Sequence, residues 1–260
     1  MPRYYDCLPD NNLEKKYFSE IADQITSDVA IVAKNFGDPM PDVPGEKIIL
    51  MNADEAYRVP AEVSDPSVKM IFKQYCYEEQ HEKLRPLPLG PSKDFSPTHI
   101  DILDRKYDVS FVGQIANNRG GFFREIADFL MDSSINSFFG LYQGFNKGLD
   151  MDSYSKILSN TKIAICPHGT GSPETFRFFE AMSASCVVIC AKQPDNWIYG
   201  NAPYTPFKNN NFPNTYSIVK TMLNNQELLV KMSKDATDYY CSNVAASPVA
   251  KYVMSEMESV

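Results

Sequence analysis

Between Lys162 and Cys190 the chain reads KIAICPHGTGSPETFRFFEAMSASCVVIC, and no other stretch limits the fold as tightly. An apolar run, Ile163 to Cys166, stops at Pro167, and the loop His168-Gly-Thr-Gly-Ser172 follows. Ser172 as N-cap and Pro173 at the first helical position predict a helix that closes near Ser183. Val187 to Ile189 then form a second run of the fully buried kind. Strand, glycine loop, helix and strand in this order make one βαβ unit of a parallel sheet. Such a unit presents free backbone N–H groups and the positive end of a helix dipole at the carboxyl edge of the sheet. That is an anion site, most often for phosphate.

The predicted helix carries Arg177 and Glu180 three residues apart, hence on one side, with Phe178, Phe179, Ala181 and Met182 as its apolar remainder. A solvated ion pair explains that spacing as well as a ligand site does. The flanking apolar strands and the glycines Gly169 and Gly171, which let a ligand approach the backbone, favour the site. Arg177 then meets a diphosphate and Glu180 accepts from ribose hydroxyls.

The rest of the chain alternates strands and helices, as a doubly wound parallel sheet requires. Leu13, Tyr17, Ile21 and Ile25 recur every fourth residue and predict a helix over 12–26. Strands are expected at Asp28–Ala33 and Lys47–Met51, the latter running into Asn52-Ala-Asp54-Glu55. Val68–Cys76 fits strand or helix, and the charged segment Tyr77–Leu84 reads as helix. Leu87-Pro-Leu-Gly90 and the polar stretch after it mark a crossover between domains. Beyond it come a strand at Tyr107–Gly113, a helix at Phe122–Met131 with Phe123, Ile126, Ala127 and Leu130 inward, and a strand at Ser137–Tyr142. Helices at Ser153–Leu158, Thr215–Leu223 and Glu227–Tyr240 complete the pattern.

The run Tyr154-x-x-x-Leu158-x-x-x-x-Lys162-Ile-Ala-Ile-Cys166-Pro167-x-Gly169-x-Gly171, followed by Arg177-x-x-Glu180-Ala181 and Val187-Val188-Ile189, resembles the C-terminal signature of the exostosin-like glycosyltransferases of family 47. The resemblance is dense over residues 107–192 and thin elsewhere. Ser185-Cys186-Val187-Val188 stands where many members have Gly-Cys-Ile-Pro, which blurs subfamily and donor identity. It implies an α/β protein of GT-B type, two Rossmann-like domains with parallel sheets and a shortened first domain. Residues 1–91 would be the acceptor-side domain, 92–106 the linker and 107–242 the nucleotide-sugar-binding domain, with 243–260 a helix packing back on the first.

The resemblance implies inverting transfer of a sugar from a UDP-sugar to a glycan hydroxyl. Xylose is the leading donor sugar, with galactose and glucuronic acid also used by relatives. No metal and no further cofactor is expected. The donor site would comprise Gly113, Arg119, His168, Gly169, Thr170, Gly171, Ser172, Thr175, Arg177 and Glu180. The two arginines and the loop amides would neutralise the leaving diphosphate. Asp54 or Glu55, following a strand's carboxyl end, would take the acceptor proton, although acidic residues there also suit a helix start. A retaining GT-B transferase and a non-catalytic nucleotide- or sugar-binding module are the alternatives.

Several other chemistries find little support. Asp150-Met-Asp152 spells a metal-binding D-x-D, yet it follows no apolar strand and precedes a helix, which suits an N-cap better. No two of the three histidines share a ligand spacing. The net charge of −8 argues against nucleic acid as a partner. No run of 18 apolar residues and no signal-peptide core is present, and the six scattered cysteines suit a reduced interior, so a cytoplasmic monomer or weak homodimer is expected. Short anchorless forms of this kind occur in bacteria and in large DNA viruses of algae. Trp197 and Tyr199 fit either ring stacking on a ligand or packing.

Overall fold

Runs of aliphatic and β-branched residues, covered on both faces, set the two sheets. The computed structural model describes the chain outside residues 1–2, 53–54, 78–79, 115–119, 145–146, 170, 208–213 and 260, and outside the side chains of 120–123. It divides into two units, residues 1–93, 195–200 and 242–260 forming one, and 94–194 and 201–241 the other. The second unit is therefore interrupted, because residues 195–200 belong to the first.

In the first unit the strands β1 (Tyr4–Asp6), β2 (Ala30–Asn35), β3 (Lys47–Asn52), β4 (Val68–Lys73) and β5 (Leu84–Pro86) lie side by side in chain order, all parallel. Alternation assigns their side chains to two faces. Ile31, Ala33, Ile48, Leu50, Met70 and Phe72 pack with α1 (Lys15–Ala22) and with Val249, Ala250 and Val253 of α7 (Ala246–Glu258). Ile49, Met51, Val68 and Ile71 pack on the other side with Met40 and Val63, which lie outside regular helices and strands or in a short 3-10 turn. The buried Lys34 on that side is ion-paired with Glu62. Each fully buried aliphatic side chain contributes about 1.5–3 kcal/mol.

Two expectations change here. Val68–Cys76, open between strand and helix, is a strand as far as Lys73, and among the described residues of the charged segment before Leu84 none lies in an α-helix, Gln80 being in a 3-10 turn. Leu84 is fully buried and pairs with Ile71, while His81 Nδ1 accepts from the Lys83 amide at 3.1 Å, so a side chain takes the amide that a helix would have used. Half-buried Trp197 packs against the core of this unit, its ring centroid 4.2 Å from that of Tyr252, which favours the packing reading. The short β1 had no sequence signal.

In the second unit come β6 (Tyr107–Gln114), α2 (Gly120–Met131), β7 (Ser137–Tyr142), α3 (Met151–Ser159), β8 (Thr161–Cys166), α4 (Phe176–Ser183), β9 (Val187–Cys190), β10 (Tyr204–Pro206), α5 (Thr215–Leu223) and α6 (Gln226–Tyr239). The parallel sheet has the order β10-β9-β8-β6-β7. Val109, Phe111, Ile163, Ile165, Val187 and Ile189 form its core with Ile126 and Phe129 of α2. The inward face of α2 is rotated from the expected one, since Ala127 and Leu130 are exposed. Phe129 displaces them because its ring meets both Phe139 and Tyr216, at 5.6 and 5.3 Å between centroids. Arg105, buried before β6, donates to the carbonyls of Ile100 and Thr161 and anchors the entering chain to the sheet.

Candidate functional site

The strand order of the second unit reverses between β6 and β8. From β6 the chain moves out to β7, returns to β8 on the other flank, and continues to β9 and β10. Open α/β sheets bind ligands outside the carboxyl ends of the two strands at such a switch. Here β6 ends at Gly113 and Gln114, and β8 ends at Cys166, followed by buried Pro167, half-buried His168 and buried Gly169.

The loop after β8 is held by its own backbone. The Gly169 amide donates to the Ser172 carbonyl at 2.8 Å, and the fully buried Ser172 accepts at Oγ from the Glu174 amide at 3.1 Å. Buried Gln193, in the loop after β9, donates from Nε2 to the carbonyls of Pro173 and Ala191, at 3.1 and 3.0 Å. These bonds correct the expected helix start. Ser172 spends its hydroxyl two residues on, Thr175 is extended at φ −146° and ψ 147°, and α4 begins at Phe176 with Thr175 as its N-cap. Thr175 makes no side-chain cap bond, and its Oγ1 is buried without a hydrogen-bond partner among the described residues.

Arg177 lies across the end of β6. Its Nε donates to the Val112 carbonyl at 2.8 Å, and its guanidinium carbon stands 4.8 Å from the centre of the Phe111 ring. A Cβ built on Gly113 would lie 2.4 Å from Arg177 Nη2, so the absence of a side chain at position 113 creates the seat. No ion pair joins this arginine to a described residue. A fixed cation therefore stands beside the first turn of a helix whose amides carry partial positive charge, as anion binding requires.

One turn further along α4, Glu180 is buried and its Oε2 accepts from the Tyr154 hydroxyl of α3 at 2.8 Å. Burial first, and then the charge of Glu180, push the Tyr154 phenol well above its ordinary range, so the proton stays on the tyrosine and the carboxylate is the acceptor. Burial also raises the thiols of Cys166, Cys186 and Cys190, of which Cys186 reaches about 11. They are packing residues rather than nucleophiles.

Of the residues expected in the donor site, Gly113, His168, Gly169, Gly171, Ser172, Thr175, Arg177 and Glu180 all lie on β6, on α4 or in the loop joining β8 to α4. Arg119 and Thr170 lie outside the described residues, as does Asp54. Glu55 is a half-buried turn residue of the first unit. Sequence reasoning missed Gln193 and buried Glu174, for which no pattern signalled a role, and it quoted Tyr154 without one. Asp150 caps α3, accepting from the Ser153 amide at 2.7 Å and hydroxyl at 2.9 Å, while Asp152 pairs with Lys156. Among the described residues no group of three or more His, Cys, Asp or Glu could hold a metal ion, and no helix is long and apolar enough to cross a membrane.

Two parallel five-stranded α/β sheets define the fold as that of the GT-B class, shared with solved glycosyltransferase structures. One is an alpha-glucosyltransferase in complex with UDP, 10% identical with a TM-score of 0.57, the match covering 94% of this chain and 84% of that one. An alpha-glucosyltransferase in complex with UDP-glucose and DNA containing an abasic site is 10% identical with a TM-score of 0.53, over 95% of this chain and 84% of that one. AviGT4, a glycosyltransferase involved in avilamycin A biosynthesis, is 11% identical with a TM-score of 0.52, over 96% and 78% of the two chains. No protein-family model and no curated protein sequence matches the chain.

Proposed function

We propose that the protein is a glycosyltransferase that moves a sugar from UDP to a hydroxyl of a glycan. The observation that carries this reading is Arg177, a cation without a carboxylate partner among the described residues, seated by Val112, Phe111 and Gly113 at the switch point and beside the first turn of α4. As the acceptor oxygen attacks the anomeric carbon, the bond to the diphosphate breaks and negative charge grows on the leaving UDP. Arg177, together with Arg119 and the free amides at the start of α4, neutralises that charge without a metal. Glu180 accepts hydrogen bonds from the ribose. The likeness to two structures holding UDP or UDP-glucose supports uridine as the nucleotide.

The signature between Tyr154 and Ile189 supports an exostosin-like, inverting enzyme, with xylose as the leading donor sugar and with Asp54 or Glu55 taking the acceptor proton. Retention is the second reading, favoured by the fold likeness to an alpha-glucosyltransferase. The anomeric configuration of the product separates the two.

The test is a calorimetric titration of UDP, GDP and ADP into wild type and Arg177→Ala with EDTA present. UDP binds the wild type, and its affinity falls about 10- to 150-fold in the variant, the equivalent of one hydrogen-bonded charge contact. No nucleotide binding, or binding that needs a divalent metal, refutes the site as described.

A further inference from the structure

Glu180 is more confined than a surface carboxylate that meets a ribose by chance. Its Oε2 is already engaged by Tyr154, on the neighbouring helix α3, and both residues are buried. The tyrosine is itself fixed, its ring centroid 5.6 Å from that of Phe95, and its hydroxyl is the donor in the bond to Glu180. A buried carboxylate that accepts from a fixed hydroxyl has restricted rotation. Arg177, one turn earlier on α4, lies close enough to act electrostatically on the same phenol.

We propose that Tyr154 is a positioning residue for nucleotide recognition, orienting the Glu180 carboxylate so that it accepts from both vicinal hydroxyls of the ribose of the bound nucleoside diphosphate. The inference rests on the reading of Glu180 given above and adds to it the element that sets its direction. In the signature run, Tyr154 stands four residues ahead of Leu158 on a helix whose charged side chains, Asp152 and Lys156, pair with each other. The arrangement assigns the tyrosine to the ribose through Glu180, and not to the phosphate.

The experiment titrates UDP and 2′,3′-dideoxy-UDP into wild type, Glu180→Gln and Tyr154→Phe. Wild type prefers UDP by about tenfold or more, as hydrogen bonds to a charged acceptor require. In Tyr154→Phe that preference falls most of the way toward unity, while affinity for the dideoxy nucleotide changes less than about twofold because the diphosphate contacts are intact. If Glu180→Gln loses the preference and Tyr154→Phe keeps it, the tyrosine only satisfies a buried carboxylate and the proposal is overturned. If wild type shows no preference, or binds neither nucleotide, the reading of Glu180 fails and takes the proposal with it.

A second measurement covers a variant that does not fold. In wild type labelled with 13C at tyrosine Cζ, the Tyr154 resonance shifts on addition of UDP and stays in place with dideoxy-UDP. Equal shifts with both nucleotides, or none with either, overturn the proposal.

Discussion

Gly113→Ala tests the seat of Arg177 without touching the arginine. The new methyl carbon would stand 2.4 Å from Arg177 Nη2, 3.2 Å from its Cζ and 2.9 Å from Phe111 Cζ. Non-bonded atoms rest near 3.5 Å, so the guanidinium must retreat by about 1 Å. Gly113 has no left-handed φ, so alanine itself is tolerated in the strand and returns about 0.4–1 kcal/mol through the unfolded chain. Against this stand the charged hydrogen bond to Val112, about 1.5–3 kcal/mol, and the cation–π contact with Phe111, about 0.5–1 kcal/mol. Net destabilisation is therefore about 1–4 kcal/mol.

Affinity for UDP should fall by about tenfold or more, since a contact displaced by about 1 Å forfeits most of a charge-assisted bond. Uridine, which has no phosphate, should lose none of its affinity. The assay is calorimetry on a double-mutant cycle with Arg177→Ala. In the alanine background the glycine substitution has nothing left to displace, so its effect on UDP binding should vanish. Additive losses, or wild-type UDP affinity in Gly113→Ala, would refute the claim that this glycine exists to seat the arginine.

Two further outcomes concern groups away from the nucleotide. Burial pushes the Glu14 carboxyl from 4.5 up to about 7, with Asn52 donating to Oε2 at 3.0 Å. The folded carboxyl holds its proton more tightly than the unfolded one, so stability is fully present below pH 4.5 and is lost as the pH rises to about 7. Glu14→Gln should match wild type in urea unfolding at pH 4 and exceed it at pH 8, by up to about 3 kcal/mol from that displacement; parallel pH profiles would discard the idea. Asp150→Ala removes the cap of α3 and should lower the urea midpoint while leaving UDP affinity unchanged in EDTA and in Mg2+. A loss of UDP binding confined to Mg2+ would instead make Asp150 a metal ligand.

How far the residues announced the outcome differs from element to element. α5 has the range read from the sequence, and β3, β6, β7 and β8 lie within a residue or two of theirs, because short apolar runs between breakers leave few other arrangements. The glycine loop and the helix that carries Arg177 and Glu180 were legible for the same local reason. Failures occurred where distant groups compete for a local signal. Ser172 and Pro173 looked like a helix start, yet Gln193 from the next loop holds the Pro173 carbonyl and α4 begins three residues later. Leu130 fitted the helical period of α2, but Phe129 had two aromatic partners and took the inward position.

The sequence by itself determined a βαβ unit with an anion-ready loop, two Rossmann-like sheets, and the identity of the charged pair on α4, since period, capping residues and breakers act over a few neighbours. Only the tertiary structure decided where that pair is held. Arg177 is seated by a strand 65 residues away along the chain, and Glu180 by a tyrosine 26 residues away. Trp197 packs against the core of the first unit beside Tyr252, although the strands before and after it belong to the second. Such partners meet because burying apolar surface outweighs the entropy of closing long loops, a cost that grows slowly with loop length. No short window of sequence records which partner that closure delivers.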